Sequence, residues 1–322
     1  MSKVTYAELK SLVATRKPML LNKVGFEERS IATIDLVHDI PWPKILTLAS
    51  TDRSKKAEKN LSSLMQALHK RGNSFELVGE LDQHEPLETQ RVMAASLSSV
   101  LERWTGGELW IDFTALRREE LLILVRVLLD RCTKEQLSRI SGLYVSAKKM
   151  GDWLSGDVVD IRSVVGYPGE ISPAQSTTLI ALMGFEANRA RAIIEAYEPS
   201  RVMLGMPAPS GSISQHLYDR NAKVLSRVSE DYGPLISSSF VFSANDPVQA
   251  ISDLSSIVDG CGEDNVVLAP LHTKISTIAA GVVSHSKPKV QICYAAVEDY
   301  NEEAYSQAGE DVYLIPFSFL SS

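Results

Sequence analysis

The chain has 322 residues, 44% of them hydrophobic and 23% charged, which excludes a disordered polymer and suits two folded domains that each bury a core. A formal net charge of −7 argues against nonspecific binding to duplex nucleic acid and leaves room for a small anion held locally. Three cysteines, Cys132, Cys261 and Cys293, show no CxxC or Cys/His metal spacing, so they read as small buried apolar residues in a reducing, cytoplasmic setting with no metal site.

Residues 1–17 read as a short amphipathic N-terminal helix rather than a signal peptide, and no apolar run reaches the length of a membrane span. Beyond it, short apolar runs alternate with longer periodic segments. A first domain, 18–165, carries strands over 18–24, 44–50, 74–81, 108–113 and 141–147, with helices over 26–38, 53–70, 87–104 and 117–131 between them. A further strand over 157–164 is expected to close it. After a linker at 166–176, a second domain, 177–322, repeats the order. Its strands lie over 177–183, 201–207, 237–243, 265–271 and 289–297, its helices over 186–197, 213–231, 247–258 and 275–285, and its closing strand over 310–317. The alternation predicts an α/β protein of two tandem Rossmann-like three-layer domains with mainly parallel sheets.

The two halves share a phrase and a register. Gly25-Phe26-Glu27 recurs 159 positions later as Gly184-Phe185-Glu186, and Thr114 and Thr273 stand the same 159 positions apart. Helix starts at Pro86 and Pro247 agree within two positions of that interval. These matches predict an internal duplication. In each half the tripeptide falls where the first strand ends and the first helix begins. Glycine allows a sharp turn there, glutamate suits the first helical turn, and Phe26 and Phe185 read as core plugs beneath the turn.

Open parallel sheets bind ligands outside the carboxyl ends of their strands. In the first half those ends supply Gly25, Glu27, Glu28 and Arg29, then Asp112, Thr114, Arg117 and Arg118. In the second they supply Gly184, Glu186, Asn188 and Arg189, then His272, Thr273 and Lys274. A hydroxyl and a cation at a helix start can serve an anion through free backbone N–H groups. Thr114 reads first as a helix cap, whereas Thr273 with Lys274 reads equally as a cap and as a ligand site. Loops over 50–54 and 207–214 add hydroxyls, Ser210 among them, without the spacing of a P-loop or a dinucleotide fingerprint, so no cofactor is expected. Asp112 is the leading carboxylate, and its alternative role is to pair with Arg29 or Arg117 and tie two loops together. Of six histidines, His38, His69, His84, His216, His272 and His285, only His272 falls at a predicted strand end. No GxSxG elbow or HExxH motif is present.

At "IDFTALRR" and "APLHTKIS" the arrangement resembles the CRISPR-associated Rossmann-fold sensors, the CARF superfamily. The resemblance implies a polar loop after the first strand, a ligand-binding turn after the fourth, and cyclic oligoadenylate bound across a two-fold. It places Thr273 and Lys274 at the end of that turn, with Thr114 and Arg117 matching loosely. The paired glycines of the family's turn are absent from both halves.

Three functions are consistent with these residues. The first is a sensor or accessory protein for a nucleotide-like anion, held between the strand-end crevices of the two halves, in a microbial defence or signalling system whose output requires a partner protein. The second is an enzyme cleaving a phosphoester or glycosidic bond, with Asp112 or Glu27 as base, His272 as acid, and Arg29 or Lys274 neutralising charge. The third is a protein-interaction scaffold whose polar strand-end residues pair with one another.

Overall fold

The central strands of this chain are written for burial on both faces. Met-Leu-Leu-Asn-Lys-Val at Met19–Val24 is buried at all but its first residue, and Asn-Val-Val-Leu-Ala-Pro at Asn265–Pro270 is buried throughout. Continuous burial of this kind marks the centre of a parallel sheet covered by helices on both sides. The computed structural model describes residues 2–36, 42–51, 54–82, 84–212 and 214–321. Among them are thirteen strands in two sheets, of seven and six strands, and ten α-helices.

The chain divides into two units. The first comprises Met1–Glu120, Val127–Leu154 and Asn301–Ser322, and the second Leu121–Arg126 and Ser155–Tyr300. The first sheet uses β1 (Ser2–Val4), β2 (Met19–Val24), β3 (Lys44–Ser50), β4 (Phe75–Leu81), β5 (Leu109–Asp112), β6 (Ile140–Met150) and β13 (Ser306–Pro316). Its order is β1-β13-β6-β5-β2-β3-β4, parallel from β6 to β4, with β13 antiparallel to both β6 and β1. Helices α1 (Tyr6–Arg16), α2 (Arg29–Leu36) and α3 (Lys55–Arg71) contribute Leu9, Val13, Ile34, Leu64 and Leu68 to one core with Leu20, Ile45 and Trp110 of the strands. Helices α4 (Pro86–Arg103), α5 (Arg118–Arg131) and α6 (Lys134–Ser138) complete the connections.

The second sheet uses β7 (Val158–Ser163), β8 (Thr177–Leu182), β9 (Arg201–Met206), β10 (Ile236–Val241), β11 (Asn265–Pro270) and β12 (Val290–Val297), in the order β10-β9-β8-β11-β12-β7. All its pairs are parallel except β12 with β7. Alternate residues of β8 point to opposite faces. Leu179 and Ala181 meet Ile193 and Val228 of α7 (Ala187–Tyr197) and α8 (Gln215–Asp231). Ile180 and Leu182 meet Leu254 and Val283 of α9 (Pro247–Asp259) and α10 (Lys274–Ser286). Period-two alternation thus feeds two helix layers from one strand. In chain order, the five parallel strands of each sheet stand third, second, first, fourth, fifth.

The expected closing strands are exchanged. Residues 157–164 follow the first half in the chain, yet β7 pairs with β12 of the second sheet. Residues 310–317 were assigned to the second half, yet β13 pairs with β6 of the first, with Tyr144 opposite Tyr313 and Leu143 opposite Leu314. The contiguous limits 18–165 and 177–322 therefore do not describe the units.

The stretch 166–176 is not a loose linker either. Tyr167 is buried and donates to the Leu122 carbonyl at 3.0 Å, and Asn265 holds Ser172 in both directions. At the N-terminus, α1 is preceded by β1 rather than starting the chain, and Thr5 with Glu8 forms a reciprocal cap at its start. The expected helices over 26–38 and 53–70 each have an end, at His38 and Arg53, outside the described residues, as does the start of 213–231 at Ile213 and part of the loop 50–54. The free cysteines Cys261 and Cys293 are buried, while Cys132 is only half-buried. Burial pushes the Cys293 thiol up to about 12, in keeping with an inert core residue.

Candidate functional site

The repeated Gly-Phe-Glu turn anchors a buried cluster in each unit. In the first, Glu27 lies between β2 and α2, and Arg29 opens α2 with only 3% of its surface exposed. The Arg29 Nη2 lies 2.5 Å from Glu27 Oε2, and its Nε donates to the same oxygen at 3.0 Å and to Ser306 Oγ at 2.9 Å. Its Nη1 donates to the Val145 carbonyl at 3.1 Å, and the guanidinium lies 5.9 Å from the Tyr144 ring centre. Ser306 in turn donates to Glu27 at 2.7 Å. Burial works against the charge of Arg29, and Glu27 with Tyr144 outweighs it, holding the guanidinium above its ordinary range.

The second unit repeats the cast. Arg189 is 2% exposed, its Nε lies 3.4 Å from Glu186 Oε1, and its guanidinium lies 5.9 Å from the Tyr300 ring centre. Ser155 donates to Glu186. Burial again opposes the charge, and Tyr300, Glu186 and Tyr294 raise the Arg189 value in spite of it. Each serine heads the exchanged strand that closes its own sheet: Ser306 starts β13, and Ser155 precedes β7. A further matched pair caps the turn from the next helix. Asn60 of α3 donates to the Gly25 carbonyl at 2.9 Å, and Asn221 of α8 donates to the Met183 carbonyl at 2.9 Å.

The glycines themselves serve different needs. A side-chain carbon on Gly184 would lie 2.0 Å from the Leu271 carbonyl oxygen, so close backbone approach excludes any other residue. On Gly25 it would sit 3.5 Å from Ser50 Oγ, an ordinary contact. Phe26 and Phe185 are half-buried rather than core plugs. Phe26 meets the Tyr305 ring edge-on at 5.5 Å, and Phe185 lies under the Arg220 guanidinium at 4.8 Å.

The strand end after β5 is closed by hydrogen bonds. Asp112 is 3% exposed. Its Oδ2 accepts from Thr33 Oγ1 at 2.5 Å and its Oδ1 from the Thr114 backbone N–H at 2.9 Å. Thr114, fully buried, accepts the Val145 N–H at 2.9 Å and so ties the turn to β6. It is not the cap of α5. Arg117 occupies the N-cap position, and its backbone N–H donates to Glu120 Oε2 at 2.7 Å. Arg118 begins the helix and is half-buried, and Glu28 is exposed.

Beside this turn, sequence reasoning missed a buried ion pair. Lys23 Nζ donates to both Glu120 oxygens at 2.8 Å, and Arg117 Nη2 lies 2.6 Å from Glu120 Oε1. Lys23 and Glu120 side chains are 2% and 1% exposed. Burial pushes the Glu120 carboxyl upward, and the charges of Arg117 and Lys23 with the hydrogen bonds they donate overcome it, holding it down to about 2. A lysine inside the apolar run "MLLNKV" was the available signal.

The corresponding end of the second unit is arranged differently. Thr273 is the N-cap of α10: its hydroxyl accepts from Ser276 N–H at 3.2 Å and donates to the Ala244 carbonyl at 3.1 Å. His272 meets the Phe242 ring edge-on at 5.4 Å. His272, Thr273 and Lys274 are half-buried, and Ser210, in a 3-10 turn at Pro209–Gly211, is exposed. Thr114 and Thr273 therefore stand at non-equivalent places, one bonding to a neighbouring strand and the other capping a helix. Of the proposed acid–base groups, Asp112 and Glu27 belong to the first unit and His272 to the second. Among the described residues, no group of three or more His, Cys, Asp or Glu is placed to hold a metal, and no helix is long and apolar enough to cross a membrane.

Compared with known proteins, the chain matches no family model and no curated protein sequence.

Proposed function

We propose that the protein binds rather than cleaves: a pair of Rossmann-like modules descended from one ancestral module, in which the first unit's strand-end polar groups hold the fold together and the second unit's hold a small anionic, nucleotide-like group. The contrast in exposure carries this reading. Arg29, Asp112 and Thr114 are at most 3% exposed, whereas His272, Thr273 and Lys274 are half-buried and Ser210 is exposed. A general base must reach a substrate proton, and both oxygens of Asp112 already accept from Thr33 and from the Thr114 amide. Common ancestry is supported by the shared strand order and by the matched Glu27–Arg29–Ser306 and Glu186–Arg189–Ser155 groups. The resemblance of Thr273 and Lys274 to the CARF turn favours a nucleotide-like ligand and a place in a defence or signalling system, where a partner protein supplies the output.

Calorimetry against mono-, di- and cyclic nucleotides tests the reading. The wild type binds at least one of them, Lys274→Ala weakens binding by about tenfold, the effect of one charge-assisted hydrogen bond, and Thr114→Val leaves it within about twofold. Absence of binding across the panel, or equal loss in both variants, overturns it. Turnover of any of these nucleotides that Asp112→Asn abolishes would instead restore the hydrolase.

A further inference from the structure

Two sheets have four edge strands, and three of them are guarded. An open edge offers a row of unpaired backbone groups, which proteins protect with charge, bulges or cover. β1 carries Lys3, paired with Asp311 at 2.8 Å. β4 carries Glu80 and also Glu76, which Arg103 holds at 2.5 Å and Lys44 at 3.4 Å. β7 carries Asp160 and Arg162, 2.5 Å apart. β10, Ile-Ser-Ser-Ser-Phe-Val, carries no charge, and no residue from Tyr232 to Asn245 is charged.

Among the described residues, β10 pairs on one side only, with β9, and Ser237, Ser238, Ser239 and Val241 are exposed. Val241 is 62% exposed and Val248, in the first turn of α9, is 59% exposed. The pairing with β9 is irregular between Ile236 and Ser238 and regular from Ser238 to Val241, opposite Met203–Met206. β4 holds the equivalent third position in its own sheet and has an irregularity too, so the difference between these two edges lies in charge rather than in bulging.

We propose that β10 is an assembly edge that pairs antiparallel with β10 of a second copy of this chain, Ser239 of each copy opposite Ser239 of the other. The stretch is complementary to itself. A two-fold axis through Ser239 sets Ser239 against itself, Ser238 against Phe240 and Ser237 against Val241, with no like charges to oppose. Nothing on the edge selects an acidic or a basic peptide. The exposed Val241 and Val248 supply an apolar margin that pairing would cover. This proposal is independent of the ligand reading above, since it uses none of the same residues.

Light scattering on the full chain after size-exclusion chromatography tests it. The wild type gives twice the 35.4 kDa mass of one chain at high micromolar concentration. Ser239→Lys and, separately, Val241→Lys halve that mass while circular dichroism stays native, because both positions are exposed. Leu77→Lys, on exposed β4, leaves the double mass unchanged. A wild type that is monomeric at that concentration overturns the proposal, and so does a dimer that survives both β10 substitutions.

Discussion

Arg29 and Arg189 begin from the same phrase and end in different environments. Both follow a Gly-Phe-Glu turn, both are buried beside an aromatic ring, and both face a glutamate that accepts from a serine at the start of, or shortly before, the strand closing the sheet. Arg29 donates to a carboxylate, a hydroxyl and a carbonyl at 3.1 Å or less, whereas Arg189 stands 3.4 Å from its glutamate. The arginine–glutamate contact is short in the first unit and longer in the second, 2.5 Å against 3.4 Å. A shared motif can therefore carry fold in one place and leave latitude in another.

The contrast is sharpened most by the buried Lys23–Glu120 ion pair of the first unit. Glu120→Ala leaves the buried Lys23 charge without its carboxylate and is expected to cost about 3–5 kcal/mol in urea unfolding. A cost below about 1 kcal/mol would place the pair in water rather than in the core.

The same pair sets an acid dependence. The folded Glu120 carboxyl, at about 2, lies below its ordinary 4.5, so its contribution is fully present above that ordinary value and is lost as pH falls through 2. The depression corresponds to about 3 kcal/mol. Stability of the wild type should fall over that window, and Glu120→Gln should flatten the fall.

Arg29→Met should cost about 2–4 kcal/mol and Arg189→Met about 1–2, because Glu186 lies farther from Arg189 than Glu27 does from Arg29. Equal costs in thermal unfolding would erase the distinction between the two clusters. Gly184→Ala forces a carbon toward the Leu271 carbonyl and should cost about 1–3 kcal/mol. Gly25→Ala meets only ordinary contact and should stay within about 1 kcal/mol.

Much of the layout was legible because periodicity is local. The alternation of apolar runs located the parallel strands and their helices, and continuous burial of 19–24 and 265–270 follows directly from their composition. Strand partnership is not local. Residues 157–164 and 310–317 have similar patterns, and neither says which sheet it will join, so their exchange was invisible. Ser155 and Ser306 travel with those strands, which hid both glutamate partners.

Equal spacing also misled at Thr114 and Thr273. Asp112 ends its strand five positions before the Arg117 cap, whereas Pro270 ends its strand three positions before the Thr273 cap. A difference in turn length left one threonine in the turn, bonded to β6, and set the other at a helix start. Asn60 and Asn221, 161 positions apart, marked the repeated turn more faithfully, but an asparagine in a polar helix draws no attention until its carbonyl partner is seen.

The division of labour is tested most directly by urea unfolding of Thr114→Val beside Lys274→Ala. Removing the Thr114 hydroxyl deprives the buried Val145 N–H of its acceptor and should cost about 1–3 kcal/mol, while removing a half-buried cation from the start of α10 should change stability by less than about 0.5 kcal/mol. A Lys274→Ala variant as destabilised as Thr114→Val, or a Thr114→Val variant as stable as the wild type, would contradict the account.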